Sequence, residues 1–384
     1  MADRIVLNTI SYHGHGAIEN IVPELTARGY KKAFVCSDPD LIKFGVTKKV
    51  TDLLEAANFA YAVYSEIKPN PTIANVQDGV AAFKAAEADC IVTIGGGSSM
   101  DTAKAIGIII NNPEFADVRS LEGVAPTKKH AVFTIAVPTT AGTAAEVTIN
   151  YVITDVEKKR KFVCVDTNDI PEIAVVDPDM MASMPKGLTA ATGMDALTHA
   201  LEAYVSTYAT PETDRYAEMA AKMIYEALPV VREEPKNVEM REQLLVASFL
   251  AGMAFARTYV GYVHAFAHSI GGRYGVAHGL ANAVLLPHIM EYYLPVSTPR
   301  LARMAQICGI SSDSDESTRA RAFVESIAAM NQTGGVPDRL AEFPRAEIDA
   351  VIKEAFQECH GTYPVPRYYT RPAARALLEQ VCAE

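Results

Sequence analysis

The segment CIVTIGGGSSMDTAKAIGIII, residues 90–110, combines an apolar run, three glycines and a helical pattern. Its beginning has the length and β-branched content of a buried strand, and residues 98–111 carry apolar residues at helical spacing. Glycines between a strand and a helix let a ligand approach the backbone, and the helix N-terminus offers unpaired N–H groups to an anion. The segment therefore predicts a strand–turn–helix unit that binds a pyrophosphate at Gly96, Gly97 and Ser98.

The same turn has an interpretation that needs no ligand. Ser98, followed three residues later by Asp101, is typical of a helix N-cap. The three glycines are also consecutive, whereas the ordinary dinucleotide-binding fingerprint spaces them as G-x-G-x-x-G. The segment thus favours phosphate binding in a fold that differs in detail from the ordinary dinucleotide-binding domain.

The alternation of strand and helix continues through the first half of the chain. Further strands are predicted at 33–37, 60–64, 132–137 and 173–176, and further helices at 41–58 and 72–88. Near-continuous apolar strands that alternate with helices predict a mostly parallel α/β sheet that is covered on both faces. Residues 147–154 and 160–165, separated by a charged turn, predict an additional hairpin.

A second loop, Ser37-Asp38-Pro39-Asp40, follows the strand at 33–37. A carboxylate at the carboxyl end of a parallel strand is well placed to accept hydrogen bonds from ribose hydroxyls, and it repels a 2′-phosphate. Asp38 is therefore a candidate contact to the ribose of NAD. Turn chemistry explains the loop equally well, because Asp-Pro is a turn dipeptide and Asp40 is able to cap the next helix.

A third loop, residues 138–146, is rich in small and hydroxyl-bearing residues. Its candidate ligand contacts are the threonines Thr139, Thr140 and Thr143. Ligands of open α/β sheets bind outside the carboxyl ends of the strands. We therefore expect the three loops to lie together where a dinucleotide binds.

After Pro185 the strand signals stop and only helices are predicted. The helical segments are 187–206, 212–232, 238–256, 261–273, 279–294, 298–309, 316–331, 346–358 and 371–383. The sequence thus predicts an α/β dinucleotide-binding domain at residues 1–184. It predicts an all-helical domain, which binds a metal and carries the catalytic residue, at residues 185–384.

The helical half contains five of the nine histidines, all between His199 and His288. Asp195 and His199 are four residues apart, so both lie on one helix face, and His264 and His268 repeat that spacing. The donor set that results is one carboxylate and three imidazoles: Asp195, His199, His264 and His278. Such a set without a thiolate suits Fe²⁺, Zn²⁺ or Mn²⁺.

These residues also have an interpretation without a metal. Asp195 and His199 share one side of their helix with Thr198 and Glu202, which is typical of a solvated polar face. A histidine on an apolar helix is usually a core residue whose hydrogen bonds are satisfied. We favour this second interpretation for His288, which lies in an apolar run.

Composition excludes several classes of function. The 384 residues include 35 Lys plus Arg and 46 Asp plus Glu, a formal charge of −11. Without a basic tract, such a chain is a poor partner for nucleic acid or an anionic membrane. The longest apolar run, residues 244–256, is too short to span a bilayer. Six cysteines without a C-x-x-C pair and a charged N-terminus without a secretory signal lead us to expect a cytoplasmic protein.

Several strings carry a resemblance to a known family: GGGSSMD at 95–101, PTTAGTAAE at 138–146, TGMDALTHALEAY at 192–204, VHAFAHSIG at 263–271 and VAHGLANAVLLPH at 276–288. They resemble the group III, iron-dependent alcohol dehydrogenases. Residues 111–129 and 149–171 are similar to the branch of that family that interconverts lactaldehyde and propanediol. The resemblance covers roughly residues 1–300, and the remainder of the chain matches loosely.

That resemblance implies a Rossmann-like α/β domain followed by a helical domain, as in the dehydroquinate-synthase-like architecture, with the site between them. It implies hydride transfer between NAD(H) and a small primary alcohol or diol, with Fe²⁺ as the favoured metal and Zn²⁺ as the alternative. The implied metal ligands are Asp195, His199, His264 and His278. The implied NAD contacts are Asp38, Gly97, Ser98, Thr139, Thr140, Thr143 and Lys161.

The family also implies a role for His268, beside the nicotinamide and the substrate but not bound to the metal. An imidazole there is suited to relay the proton of the alcohol, because it titrates near neutral pH. A homodimer or a higher homo-oligomer is implied as well.

Two segments depart from the family pattern. Arg257, Tyr259 and Tyr262 replace the small residues that usually precede the helix of His264, and residues 360–367 also differ. Arg257 is thus a candidate for binding a carboxylate or phosphate on the substrate, although a surface ion pair explains it as well.

Three other functions compete with this hypothesis. A glycerol or polyol dehydrogenase of the same superfamily would use fewer histidine ligands. A dehydroquinate-synthase-like lyase would need more Lys and Arg around a phosphate substrate. A metal hydrolase or a non-catalytic metal-binding protein would not need the glycine-rich and threonine-rich loops.

Overall fold

The computed structural model describes residues 5–383. The charge pair Asp3–Arg4, on which the expectation for the N-terminus rests, lies outside these residues. The chain divides into two compact units, the first ending at Ser183 and the second beginning at Met184. The predicted boundary lies one residue later, and the binding roles assigned to the two domains stay predictions.

Among residues 5–383, the strands lie in the first unit: β1 (Ile10–His13), β2 (Lys32–Ser37), β3 (Ala60–Tyr64), β4 (Cys90–Gly95), β5 (Gly123–Val124), β6 (Thr134–Pro138), β7 (Asn150–Asp155), β8 (Arg160–Val165) and β9 (Ile173–Val176). Six of them form one sheet in the order β1-β9-β6-β4-β2-β3, with every pairing parallel. This confirms the predicted α/β sheet. Strand β1 was not predicted, because its four residues alternate between half-buried and exposed positions and are mostly polar.

Helices cover both faces of this sheet: α1 (Ile21–Ala27), α2 (Pro39–Lys43), α3 (Val46–Ala56), α4 (Ile73–Ala86) and α5 (Gly97–Asn111). Alternate strand residues point to opposite faces. Val35 and Val92 accordingly pack with α1 and α3. Phe34 and Ile91 pack with α4 and α5 on the other face. Burial on both faces is the reason for the continuous apolar strands.

A second, smaller sheet has the order β5-β8-β7. Its strands β7 and β8 are antiparallel, with Asn150 opposite Val165 and Asp155 opposite Arg160. This confirms the predicted hairpin. The short strand β5 adds to it in parallel with β8.

The second unit is helical: α6 (Lys186–Val205), α7 (Pro211–Glu233), α8 (Val238–Thr258), α9 (Tyr262–Tyr274), α10 (His278–Ile307), α11 (Glu316–Gly334), α12 (Ile348–Cys359) and α13 (Arg371–Val381). Within residues 184–383, no single helix is long and apolar enough to cross a membrane. Only α8 and α9 taken together, which are bent by 100° at their junction, meet that test by length and composition.

One predicted helix is wrong, and a predicted break between two others is confirmed. The helix predicted at 41–58 is the pair α2 and α3, because Gly45 adopts a left-handed conformation with φ of 74° between them. The helices predicted at 279–294 and 298–309 form the two parts of α10, and the predicted break between them is confirmed as a kink at Ser297. Ser297 has a non-helical conformation between Pro295 and Pro299, and a proline inside a helix removes a hydrogen bond and bends it.

Candidate metal centre and cofactor loops

Helix α6 presents a carboxylate and an imidazole on one buried face. Asp195 and His199 lie one turn apart and are only 1% and 5% exposed. Thr198 and Glu202, on the same helix, are buried as well. The alternative of a solvated polar face is therefore wrong, and these side chains need partners inside the protein.

Helix α9 brings His264 to that face. Its Nε2 atom lies 2.9 Å from Nε2 of His199 and 4.0 Å from Oδ1 of Asp195. One ligand atom from each of these three buried residues lies within 4.8 Å of the others. The spacing of four residues on α6 thus brings Asp195 and His199 together, and α9 adds His264 to them.

His278, the first residue of α10, joins this group. Its Nε2 lies 3.7 Å from Oδ1 of Asp195, and its ring centroid lies 5.3 Å from that of His264. The four side chains predicted as metal ligands therefore occur in one place. His288, further along α10, is half-buried and its burial lowers its pKa.

Asn282, which lies one turn after His278, belongs to this group although it was not predicted. Its Nδ2 atom is 2.6 Å from Oδ1 of Asp195 and 3.2 Å from Nε2 of both His264 and His278. Asn282 is fully buried, and its Oδ1 has no hydrogen-bond partner among residues 5–383. The i, i+4 spacing from His278 was the available signal for this residue.

Glu202 orients one of the candidate ligands. Its carboxylate accepts from Nδ1 of His264 at 2.6 Å and from the backbone N–H groups of Gly261 and Val263, both at 2.8 Å. A proton on Nδ1 leaves the lone pair of Nε2 for a metal, the usual function of a carboxylate behind a metal-binding histidine. The carboxylate also satisfies N–H groups at the start of α9, which would otherwise lack helical partners.

The close approach of Glu202 requires a glycine. A Cβ atom at Gly261 would lie 2.7 Å from Oε1 of Glu202, too close for a non-bonded contact. Glycine at 261 therefore allows one carboxylate of α6 to hold both the first turn and the first histidine of α9.

The electrostatic environment fits a cation. Burial acts to lower the pKa of His264, but the hydrogen bond and charge of Glu202, with the charge of Asp195, outweigh it and raise that pKa. A site that favours a proton also favours a metal cation. Together with the donor set and the unpartnered amide oxygen of Asn282, this shows that the residues fit a divalent metal with N and O ligands.

His268 lies next to this group but in a different arrangement. Its ring stacks on that of His278 at 5.3 Å, and its Nδ1 atom lies 2.7 Å from Oε1 of Glu358 on α12. The carboxylate leaves Nε2 as the available basic nitrogen. Glu358 was not predicted, because no local spacing connects α12 with α9.

In the first unit, the sheet order brings the three loops together. Strands β2, β4 and β6 are neighbours, and their carboxyl ends lead into the loops of Asp38, Gly96 and Thr139. The N–H group of Thr139 donates to the carbonyl of Gly95 at 3.0 Å. The loops thus lie at one edge of the sheet, as expected from their place in the sequence.

The glycine-rich turn packs closely against the threonines. A Cβ atom at Gly96 would lie 3.0 Å from Oγ1 of Thr140, and one at Gly97 would lie 3.0 Å from Cγ2 of Thr143. Helix α5 begins at Gly97 without a side-chain cap from any described residue. The N-cap interpretation of Ser98 is therefore wrong, because Ser98 lies within the first turn.

In the loop after β2, Asp38 caps the helix that follows. Its Oδ1 accepts from the N–H group of Leu41 at 3.0 Å, so Asp38, and not Asp40, caps α2. Lys161, on β8, lies near the start of α5. Burial raises the pKa of Asp101 to about 6, and the charge of Lys161 is one of those that oppose this shift.

The two departures from the family pattern contact each other. Tyr262 is fully buried, its hydroxyl is hydrogen-bonded to Nε2 of His360, and it accepts from the N–H group of Tyr369 at 3.1 Å. Arg257 forms an ion pair with Glu212 at 3.0 Å. The side chains at 257 and 262 thus have protein partners of their own.

The family follows from comparison with known proteins. The model described as iron-containing alcohol dehydrogenase matches residues 8–178. The model for the C-terminal part of the Fe-containing alcohol dehydrogenase family matches residues 189–382. This chain belongs to the iron-containing alcohol dehydrogenase family. The resemblance of its five sequence strings to that family is confirmed.

Individual members of the iron-containing alcohol dehydrogenase family are similar over their whole lengths. Lactaldehyde reductase of Escherichia coli (strain K12) is 45% identical over 368 residues, covering 95% of this chain and 96% of that protein. A 1,3-propanediol oxidoreductase structure has a TM-score of 0.94 and 35% identity, covering 99% of this chain and 100% of that one. Sulfoacetaldehyde reductase from Bifidobacterium kashiwanohense, solved in complex with NAD⁺, has a TM-score of 0.86 and 25% identity, covering 99% and 98%.

Proposed function

We propose that this protein is a metal-dependent, NAD(H)-linked alcohol dehydrogenase and aldehyde reductase. Its substrate is a small primary alcohol or diol, or the corresponding aldehyde, of the lactaldehyde and propanediol type. The observation that carries the proposal is the buried group of Asp195, His199 and His264, in a chain of the iron-containing alcohol dehydrogenase family. Similarity to lactaldehyde reductase and to 1,3-propanediol oxidoreductase supports the substrate class.

In this proposal the metal ligands are Asp195, His199, His264 and His278. The family description favours Fe²⁺, and Zn²⁺ is the alternative that the same donors accept. A bound divalent metal supplies a Lewis acid for the oxygen of the alcohol or aldehyde. Glu202 holds His264, and His268 accepts the proton of the alcohol or returns it to the product of reduction.

The NAD contacts in this proposal lie in the first unit: Asp38, Gly96, Gly97, Ser98, Thr139, Thr140, Thr143 and Lys161. The pyrophosphate binds at the start of α5, where the N–H groups of the first turn have no helical partners. Asp38 accepts hydrogen bonds from the ribose hydroxyls with the carboxylate oxygen that does not cap α2. The NAD⁺ complex of the similar sulfoacetaldehyde reductase supports this cofactor.

The setting of the enzyme is also part of the proposal. Its six cysteines are all free thiols, and five are buried, which is typical of a reducing compartment such as the cytoplasm. By family resemblance, we infer a homodimer or a higher homo-oligomer. Neither nucleic acid nor a membrane is among the proposed partners.

The test is a panel of alcohols and aldehydes with NAD(H), using protein loaded with Fe²⁺ or Zn²⁺ without oxygen. NADH absorbance should change with propanediol, lactaldehyde and related substrates, and only after loading with metal. A strong preference for glycerol over the diols would favour a polyol dehydrogenase instead. No change with any alcohol or aldehyde, at full metal occupancy, would contradict the redox function.

A further inference from the structure

The carboxylate behind His268 is held by a second donor. Oε1 of Glu358 accepts from Nδ1 of His268 at 2.7 Å and from the hydroxyl of Tyr363 at 2.6 Å. Burial, with the charge of Glu358, raises the pKa of Tyr363 well above its ordinary value, so its hydroxyl keeps its proton and donates. Two donors on one oxygen fix the position of the carboxylate, because both must be satisfied at once.

The exposed fraction of the side chain increases from His268 to Glu358. The side chain of His268 is 7% exposed, whereas that of Glu358 is 24% exposed. Glu358 is thus the member of the pair that is in contact with solvent. A proton that leaves the buried imidazole through Nδ1 would reach water by way of this carboxylate.

A neighbouring contact between the same two helices shows what a purely structural pair looks like here. Glu354, one turn before Glu358 on α12, accepts from Oγ of Ser269 at 2.7 Å and from Nε of Arg273 at 2.8 Å. Arginine keeps its charge in proteins and does not relay protons. Glu354 therefore joins α9 to α12 without being linked to an imidazole, and it provides a matched control for Glu358.

We propose that Glu358 is the positioning residue of His268 and the group through which the proton of the alcohol leaves for water. The inference rests on the function proposed above. A hydrogen bond to Glu358 requires hydrogen on Nδ1 of His268, which leaves Nε2 with the lone pair that accepts a proton. Tyr363, in the segment that departs from the family pattern, holds the carboxylate in place.

During oxidation the carbon of the alcohol gives a hydride to NAD⁺, and its O–H proton passes to Nε2 of His268. The Nδ1–H bond breaks as a bond forms between that hydrogen and Oε1 of Glu358, and Glu358 then releases the proton to water. Aldehyde reduction uses the same bonds in reverse, with the proton drawn from water.

The Glu358→Gln variant separates the positioning of His268 from the transfer of its proton. The amide oxygen still accepts from His268 and Tyr363, but it is not a base. At low buffer concentration, kcat for alcohol oxidation by the metal-loaded enzyme should fall about 100-fold, at the lower end of the range for loss of a proton-transfer group. Added phosphate should restore part of it by accepting the proton directly, while metal content stays unchanged. Glu354→Gln should keep a kcat within about twofold of the parent, with no dependence on buffer.

A second readout does not depend on turnover. In Zn²⁺-loaded protein with ¹⁵N-labelled histidine, NMR should show His268 with hydrogen on Nδ1, and His268→Gln identifies its signals by their loss. Glu358→Leu should shift His268 away from that tautomer. An unchanged tautomer in Glu358→Leu would overturn the proposal, as would a buffer-independent, parent-like kcat in Glu358→Gln or an equal loss in Glu354→Gln. Absence of NADH formation by the parent would count against the proposed function, while the NMR result decides the role of Glu358 by itself.

Discussion

The candidate metal ligands are side chains on helices and are mostly buried, whereas the candidate NAD contacts are backbone and small side chains in half-exposed loops at strand ends. Asp195 and His264 are 1% and 2% exposed and contact each other directly. Gly96 and Gly97 act through the absence of a Cβ atom next to Thr140 and Thr143. One site depends on which polar atoms face one another, and the other depends on how closely two loops approach.

This difference teaches where each site is vulnerable. A buried donor set fails when one polar atom is lost, because its partners are left unpaired in a dry environment. A loop site fails when volume is added, because the backbone can no longer approach its ligand. The candidate metal site should therefore be sensitive to the removal of side-chain atoms. The candidate NAD site should be sensitive to their addition.

The largest effect is expected for His264→Ala. The variant loses a candidate ligand whose Nε2 lies 2.9 Å from Nε2 of His199, so metal affinity should fall by more than about 100-fold, beyond the range for an outer hydrogen-bond partner. Turnover should be lost together with the metal. Competition with a chelator and elemental analysis measure the affinity. His288→Ala, outside the group of candidate ligands, should keep full occupancy; full occupancy in His264→Ala would remove His264 from the ligand set.

A smaller loss is expected for Glu202→Gln. The amide oxygen can replace Oε2, which accepts from Nδ1 of His264 and the N–H group of Gly261, or Oε1, which accepts from the N–H group of Val263. The NH₂ group then faces the remaining donors without an acceptor. Metal affinity should fall about 10- to 100-fold, the usual cost of losing an outer partner. Chelator competition measures this change, with the exposed Glu226→Gln as the control. Unchanged affinity would mean that Glu202 serves only to join α6 and α9.

The residues changed in these two variants also show what can and cannot be predicted from the sequence. Asp195 and His199 follow from helix periodicity alone, since residues four apart share a face. Glu202 belongs to that same face, but its exposure depends on α9, which lies about 60 residues further along the chain. Periodicity shows which residues share a side and does not show what covers it. The polar face was therefore open to two interpretations until the tertiary structure was available.

The parallel sheet was predictable for a similar reason, and its exceptions are local. Apolar strands such as β4 are recognisable because burial on both faces removes polar residues from them. β1 lies at the edge of the sheet, where one side is solvated, and its signal is lost. Glu358 lacked a signal because a single polar residue on a helix is common, and only packing against α9 gives it a role.

Gly97→Ala adds volume to the loop site. Its Cβ would lie 3.0 Å from Cγ2 of Thr143, so the loops must separate by a few tenths of an ångström. NAD⁺ affinity should fall about tenfold, as expected for an overpacking cost of about 1–2 kcal/mol, without loss of metal. Fluorescence titration with NADH measures it. Gly187→Ala, where a Cβ meets no atom within 4 Å, is the matched control; an equal loss of affinity there would contradict the explanation by close packing.

The smallest effect is expected for substitutions of Asp38. Two variants separate its capping of α2 from its charge. Asp38→Asn keeps an oxygen that can accept from the N–H group of Leu41, so the cap of α2 is retained. It removes the charge that repels a 2′-phosphate. Asp38→Gly removes the charge and the capping side chain, at a cost of only a few tenths of a kcal/mol in a helix cap.

Both variants should therefore shift the ratio of kcat/KM for NADPH to that for NADH upward by about three- to tenfold, as expected for one half-buried charge worth about 1 kcal/mol. Asp38→Asn should do so without a change in thermal stability, whereas Asp38→Gly should be slightly less stable. Steady-state kinetics with both cofactors and a thermal unfolding curve supply the measurements. If cofactor preference stays constant while Asp38→Gly loses stability, Asp38 is only the cap of α2 and the residue that reads the ribose lies elsewhere.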